Sequence, residues 1–181
     1  MKKLHAWLAV LLMIVGLGLV APSSATAASY CGITWGSLAK SSSRMTTAPI
    51  TNVRAGRHAC FDRMVVDIKG KRAGFDVRYV KHVRSEGSGF IVPLRGAADL
   101  QVVVRAPAYN SKGQPTYHPR DRKNLVDVSD FRTFRQIAWA GSFEGQTTIG
   151  LGVRAKLPFR VFTLAGPGSR TMLVIDVAHR W

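Results

Sequence analysis

An all-β sandwich of two packed sheets, with about eight to nine strands and minimal helix, is the fold this sequence predicts. Three observations lead there. Short runs rich in β-branched and aromatic residues recur at close intervals, each bounded by turn-forming residues. Beyond the N-terminal leader, no stretch longer than about eight residues repeats its apolar positions with the 3.6 period of a helix. Two distant runs also share one phase: Met64, Val66 and Ile68 alternate with Asp67, and Leu173, Ile175 and Val177 alternate with Asp176. That shared signature suggests stacked related halves, with Asp67 and Asp176 on opposite outer faces.

The chain opens with Lys2 and Lys3, an apolar run from Ala6 to Val20, and small residues up to Ala27. This is the pattern of a signal peptide over 1–27. Its apolar run falls short of the roughly 20 residues needed to span a bilayer, so no transmembrane segment is expected in the mature chain. Tyr30 stands where a lipobox needs a small residue, which argues against lipidation at Cys31. Residues 28–56 are polar and small and read as an N-terminal arm, with Trp35 packing over one end of the sandwich. The domain proper is expected over 57–181.

Within that domain the first strand is Phe61 to Lys69, turned by Gly70 to Gly74, and the second is Phe75 to Val83. Phe90 to Leu94 follows, placed at an edge by Pro93. Leu100 to Ala106 is nearly continuous in apolar residues and should be buried on both faces. From 107 to 124 the chain is irregular, and a connection of that length within a compact domain is usually functional or disordered. Its Tyr109 and Tyr117, with the cations from Arg120 to Lys123, suggest a binding lip. Leu125 to Val128 reads as a short strand, and Asp130 to Arg135 as one helical turn capped by Asp130. Ile137 to Phe143, Thr147 to Val153 and a final hairpin around Gly166-Pro167-Gly168 complete the set.

Charge and cysteines restrict the setting. The chain has 26 Lys and Arg against 10 Asp and Glu. Loss of Lys2 and Lys3 with the leader leaves a net charge of about +14, which favours anionic surroundings. For an exported protein these are wall polymers, peptidoglycan carboxylates or acidic lipids; nucleic acid is the least favoured partner. Cys31 and Cys60 are the two cysteines, and in an oxidising compartment a disulfide between them is the economical interpretation. Closing a loop of about 30 residues would stabilise the fold by roughly 3–4 kcal/mol.

The strand Pro158-Phe159-Arg160-Val161-Phe162, followed by Leu173-Val174-Ile175-Asp176-Val177, resembles the closing hairpin of an AMIN-like domain. Upstream, Gly141-Ser142-Phe143-Glu144-Gly145 and Gly150-Leu151-Gly152-Val153-Arg154 extend the likeness, which is to the AMIN-like proteins secreted by actinobacteria and covers roughly Cys31 to Trp181. The resemblance implies a β-sandwich that attaches secreted proteins to the cell envelope through peptidoglycan, without catalysis. In the usual arrangement such a domain targets an attached hydrolase. With Trp181 closing the last strand, a separate envelope protein or a free wall-associated role is expected instead.

Reactive constellations are missing. The sequence has no Gly-x-Ser-x-Gly elbow, no His-Glu-x-x-His, no Walker loop and no dinucleotide turn. His58, His82, His118 and His179 are scattered, so no metal and no cofactor are expected. Asp67 and Asp176 are the one suggestive carboxylate pair, better suited to salt bridges with neighbouring arginines than to acid–base chemistry. For binding, Arg105, Arg154 and Arg160 interrupt apolar strands, so each must reach solvent or a partner, and arginine's planar fork suits carboxylate and phosphate. Arg135, Trp139, Tyr109 and Tyr117 complete the expected ligand contacts, although the spacing of Trp139 and Phe143 favours core packing. The expected function is thus non-catalytic binding to peptidoglycan or an anionic wall polymer. An envelope hydrolase and a non-specific polyanion binder are the alternatives.

Overall fold

The computed structural model describes residues 29–181; the signal peptide expected over 1–27 lies outside the described residues. Eleven strands follow a short 3-10 turn at Tyr30–Gly32. They are β1 (Lys40–Ser42), β2 (Ile50–Arg57), β3 (Phe61–Ile68), β4 (Phe75–Val80), β5 (Val83–Arg84), β6 (Ile91–Val92), β7 (Ala98–Val104), β8 (Phe134–Phe143), β9 (Gln146–Val153), β10 (Phe159–Ala165) and β11 (Thr171–Ala178). A five-stranded sheet runs β1-β4-β7-β9-β8, a four-stranded sheet runs β10-β11-β3-β2, and β5 pairs with β6 alone. All these pairings are antiparallel. The β-sandwich expected from the sequence is the fold observed.

Alternation builds the core. Met64, Val66, Ile68, Leu173, Ile175, Val177 and Phe159 face inward from the four-stranded sheet. They meet Leu100, Val102, Val104, Ile149, Leu151, Val153, Phe134 and Ile137 from the five-stranded sheet. The common phase of β3 and β11 has a simpler origin than stacked halves. The two are adjacent in one sheet, with Val66 opposite Leu173 and Met64 opposite Ile175. Asp67 and Asp176 therefore share one outer face, not two opposite ones.

The remaining departures are local. Residues 50–56, read as the end of the arm, lie in the edge strand β2, because Ile50 and Val53 supply inward apolar surface that joins β3. Leu125 to Val128 is no strand, although the Leu125 N–H reaches the Ile137 carbonyl. Nor does a helical turn form at Asp130. The Thr133 and Phe134 N–H groups donate instead to the buried Asp62 carboxylate, at 2.6 and 3.1 Å, and Asp127 caps the local turn through Ser129 N–H. Asp62 follows the inward parity of Met64, and His179 Nε2 lies 3.1 Å from its other oxygen.

The outer faces of the two sheets differ. On β9 the side of Gly150 and Gly152 that points away from the core is roofed by residues 83–95. A Cβ at Gly150 would press on Leu94 and Val83, and one at Gly152 would collide with the Arg95 carbonyl oxygen. Glu86 is drawn onto the same face by its N–H bond to the Ala140 carbonyl and by Thr148 Oγ1, which donates to its carboxylate. The outer face of the four-stranded sheet carries Arg54, Arg63, Asp67, Arg160 and Asp176. Side chains of its own strands and of the N-terminal arm cover it.

Candidate functional site

On the outer face of the four-stranded sheet the alternation of β3, β10 and β11 places Arg63, Arg160 and Asp176 side by side. Arg160 stands opposite Asp176, and Asp176 opposite Arg63. Arg63 donates from Nε and Nη2 to the two Asp176 oxygens at 2.7 and 2.9 Å, and Arg160 donates from Nε at 2.8 Å. Asp176 has no solvent exposure, whereas Arg63 and Arg160 are 23% and 40% exposed. Hydrogen bonding to Asp176 raises the Arg63 pKa above its already high ordinary value. One carboxylate under two guanidiniums leaves one net positive charge. Among the described residues nothing accepts from Arg63 Nη1 or from either Nη of Arg160.

Aromatic rings frame the pair. Arg160 lies 4.4 Å from the Trp35 centroid, 5.0 Å from Phe162 and 5.4 Å from Phe61, and Arg63 lies 5.3 Å from Phe61 and 5.6 Å from Phe162. Trp35 meets Phe61 edge-on at 5.5 Å, and His58 stacks on Phe61 at 4.5 Å. Trp35 is brought there by the arm, which the Cys31–Cys60 disulfide ties to the residue just before β3, with 6.2 Å between the two Cα atoms. Beside this cluster, Arg54 forks onto Asp67 at 2.9 and 3.1 Å, and its pKa too is raised by that bond. The result is a surface on which guanidinium groups and aromatic rings lie within about 4–6 Å of one another. It can hold planar anionic groups and sugar rings, while its carboxylates are tied up as acceptors.

A family model of the AMIN-like domain matches residues 48–179, well over half of the chain. The chain belongs to the AMIN-like family. No curated protein and no solved structure matches it. Membership and the formed disulfide point to an extracellular or cell-wall setting for this AMIN-like domain. Among the described residues no helix is long and apolar enough to cross a membrane, and no group of three or more His, Cys, Asp or Glu is placed to hold a metal.

Of the ligand contacts expected from the sequence, only Arg160 stands in the arginine–aromatic face of this AMIN-like domain. Tyr109, Tyr117 and Trp139 come together elsewhere. They line a cleft of about 330 Å³ with Glu86 and Arg122, at the edge where the 107–124 segment passes β8. Tyr117 and Trp139 are 5.6 Å apart and tilted, and both also pack on the core. Tyr109 accepts the Gly145 N–H at 2.9 Å, which fixes that end of the segment. Arg135 turns back onto its own chain, donating to the carbonyls of Phe131, Arg132 and Phe134. Arg154 donates to the His179 carbonyl, and Arg105 lies half-buried near Gln146 with its Nε unpartnered.

The sequence reading missed Arg63, Phe61 and Phe162 and treated Trp35 as packing. A usable signal was present, because Arg63, Asp176 and Arg160 all occupy the outward parity of strands whose inward parity was plain. What linear spacing does not give is the pairing of β3 and β10 with β11, which brings 63, 160 and 176 into one row.

Proposed function

We propose that this protein is a secreted, non-catalytic attachment module that binds peptidoglycan or an associated anionic wall polymer through the outer face of its four-stranded sheet. The observation that supports this most is the Arg63–Asp176–Arg160 row set among Trp35, Phe61 and Phe162. A buried carboxylate fixes two guanidinium planes beside aromatic faces and leaves outward N–H edges free for carboxylate or phosphate, while the rings offer stacking for sugars. Asp176 and Asp67, the carboxylates closest to a hydrolase pair, are each bonded to arginine, which favours binding over hydrolysis.

Retention on purified walls, with and without teichoic acid, tests the reading. Arg160→Lys keeps the charge but loses the planar fork, and should weaken retention about tenfold while the melting temperature moves by no more than about 2 °C. Retention that is unchanged in Arg160→Lys, and equally strong on heparin or DNA, would make the protein a general polyanion binder instead.

A further inference from the structure

The β5–β6 hairpin and the end of β8 form a second surface, on the other side of the sandwich from the arginine face. Phe90 in the hairpin turn is 77% exposed, Ile91 48% and Phe143 52%. The Phe143 ring lies against Gly87, where an added Cβ would sit 3.7 Å from the ring, so the two segments make one apolar corner. The hairpin is pinned. Ser85 N–H donates to the Phe90 carbonyl at 2.8 Å, Glu86 N–H to the Ala140 carbonyl at 2.7 Å, and Arg84 Nη1 to the Gly89 carbonyl at 2.9 Å. Phe90 is therefore held outward by a bonded turn.

Cations flank this corner. Ile91 borders one depression that contains Lys81 and Lys156, and another that contains Arg122 and Lys123. Arg84 lies on the hairpin itself. The hairpin's carboxylate, Glu86, is already engaged by Thr148.

We propose that this corner is an insertion wedge for an anionic lipid surface, in which Phe90 and Ile91 enter the interface and Lys81, Arg84, Arg122 and Lys123 meet the headgroup phosphates. An aliphatic side chain such as Ile91 gives a sugar ring no stacking face, whereas a lipid interface can bury Phe90 and Ile91 together. With Lys81, Arg84, Arg122, Lys123 and Lys156 about it against the carboxylates Asp99 and Glu144, the exposed turn complements the negative surface potential of a bilayer, where buried apolar area and electrostatic attraction add. The wedge does not depend on the arginine face. Because the two lie on opposite sides of the sandwich, one molecule can hold a membrane and a second ligand together.

The test is co-sedimentation of protein recovered from the medium of a secreting host, leader removed, with vesicles of phosphatidylglycerol and phosphatidylcholine or of phosphatidylcholine alone. Binding is expected to the mixed vesicles only. It should fall at least about tenfold in Phe90→Ser/Ile91→Ser and again in Lys81→Glu/Lys123→Glu, with both variants melting like the parent. Retention on walls should be unchanged in the first variant, and Arg160→Lys should bind vesicles as the parent does. No binding to mixed vesicles, or binding untouched by Phe90→Ser/Ile91→Ser, overturns the proposal. So does equal binding to pure phosphatidylcholine.

Discussion

Asp176→Asn is the sharpest probe of the arginine–aromatic face. The amide is nearly isosteric with the carboxylate, yet it removes the one negative charge beneath two guanidiniums and replaces an acceptor oxygen with a donor. Three N–H donations end on this side chain, and it has no solvent to fall back on. Breaking a buried ion pair costs about 3–5 kcal/mol, but both arginines retain partial access to water, which brings the expected loss to about 2–3 kcal/mol. For a domain of this size that lowers the melting temperature by roughly 5–10 °C. Asp67→Asn is the control: its partner Arg54 is half-exposed, so the change should cost less than about 1 kcal/mol. The assay is thermal denaturation followed by circular dichroism, together with wall retention well below the lower melting point. Asp176→Asn should lose retention although Arg63 and Arg160 are both still present. Should Asp176→Asn melt within about 2 °C of the parent, or stay on walls as well as Asp67→Asn, the claim that Asp176 organises the face is refuted.

Gly152→Ala drives a methyl into the Arg95 carbonyl oxygen and the Leu94 side chain, and is expected to destabilise by about 2–3 kcal/mol, read as a lower urea midpoint. Tyr79 donates its hydroxyl to the Leu157 carbonyl at 2.8 Å and accepts the Leu157 N–H at 3.0 Å, while burial pushes its pKa up from 10 to about 12. A phenol raised in this way contributes stability that is fully present below pH 10 and is lost as pH rises through about 12. Burial also raises the half-buried Tyr117, so a spectrophotometric phenolate titration should show a late-ionising component that Tyr79→Phe reduces but does not abolish. Cys31→Ser/Cys60→Ser should lower stability by roughly 3–4 kcal/mol and shift the indole fluorescence as Trp35 leaves Arg160.

The fold was legible because alternation is a local property. Met64-Val65-Val66-Asp67-Ile68 and Leu173-Val174-Ile175-Asp176-Val177 each announce a half-buried strand without reference to anything distant. The disulfide was legible from an even cysteine count. Harder to see was β2, where only Ile50, Val53 and the small Ala55 face inward and the rest is polar, charged or glycine, as an edge strand tolerates. Asp62 hid in plain parity. A charged residue on an inward position argued against nothing and for nothing until Thr133 and Phe134 appeared as its donors from about 70 residues away in sequence. The arginine row was hidden for the same reason. Arg160 could be suspected from its place inside an apolar strand, but its company depends on register between strands about a hundred residues apart. The two tyrosines of the 107–124 segment stood out by composition alone, and both line a cleft with Trp139, remote from Arg160.

Trp35 lies upstream of the stretch that the family model covers, on a tether whose knot is Cys31–Cys60. The indole that backs Arg160 is thus an accessory, contributed by a segment apart from the matched stretch and leashed to it covalently. If the surface binds as proposed, a different leash would change which partners it prefers, and cutting the leash by reduction would release the indole from Arg160.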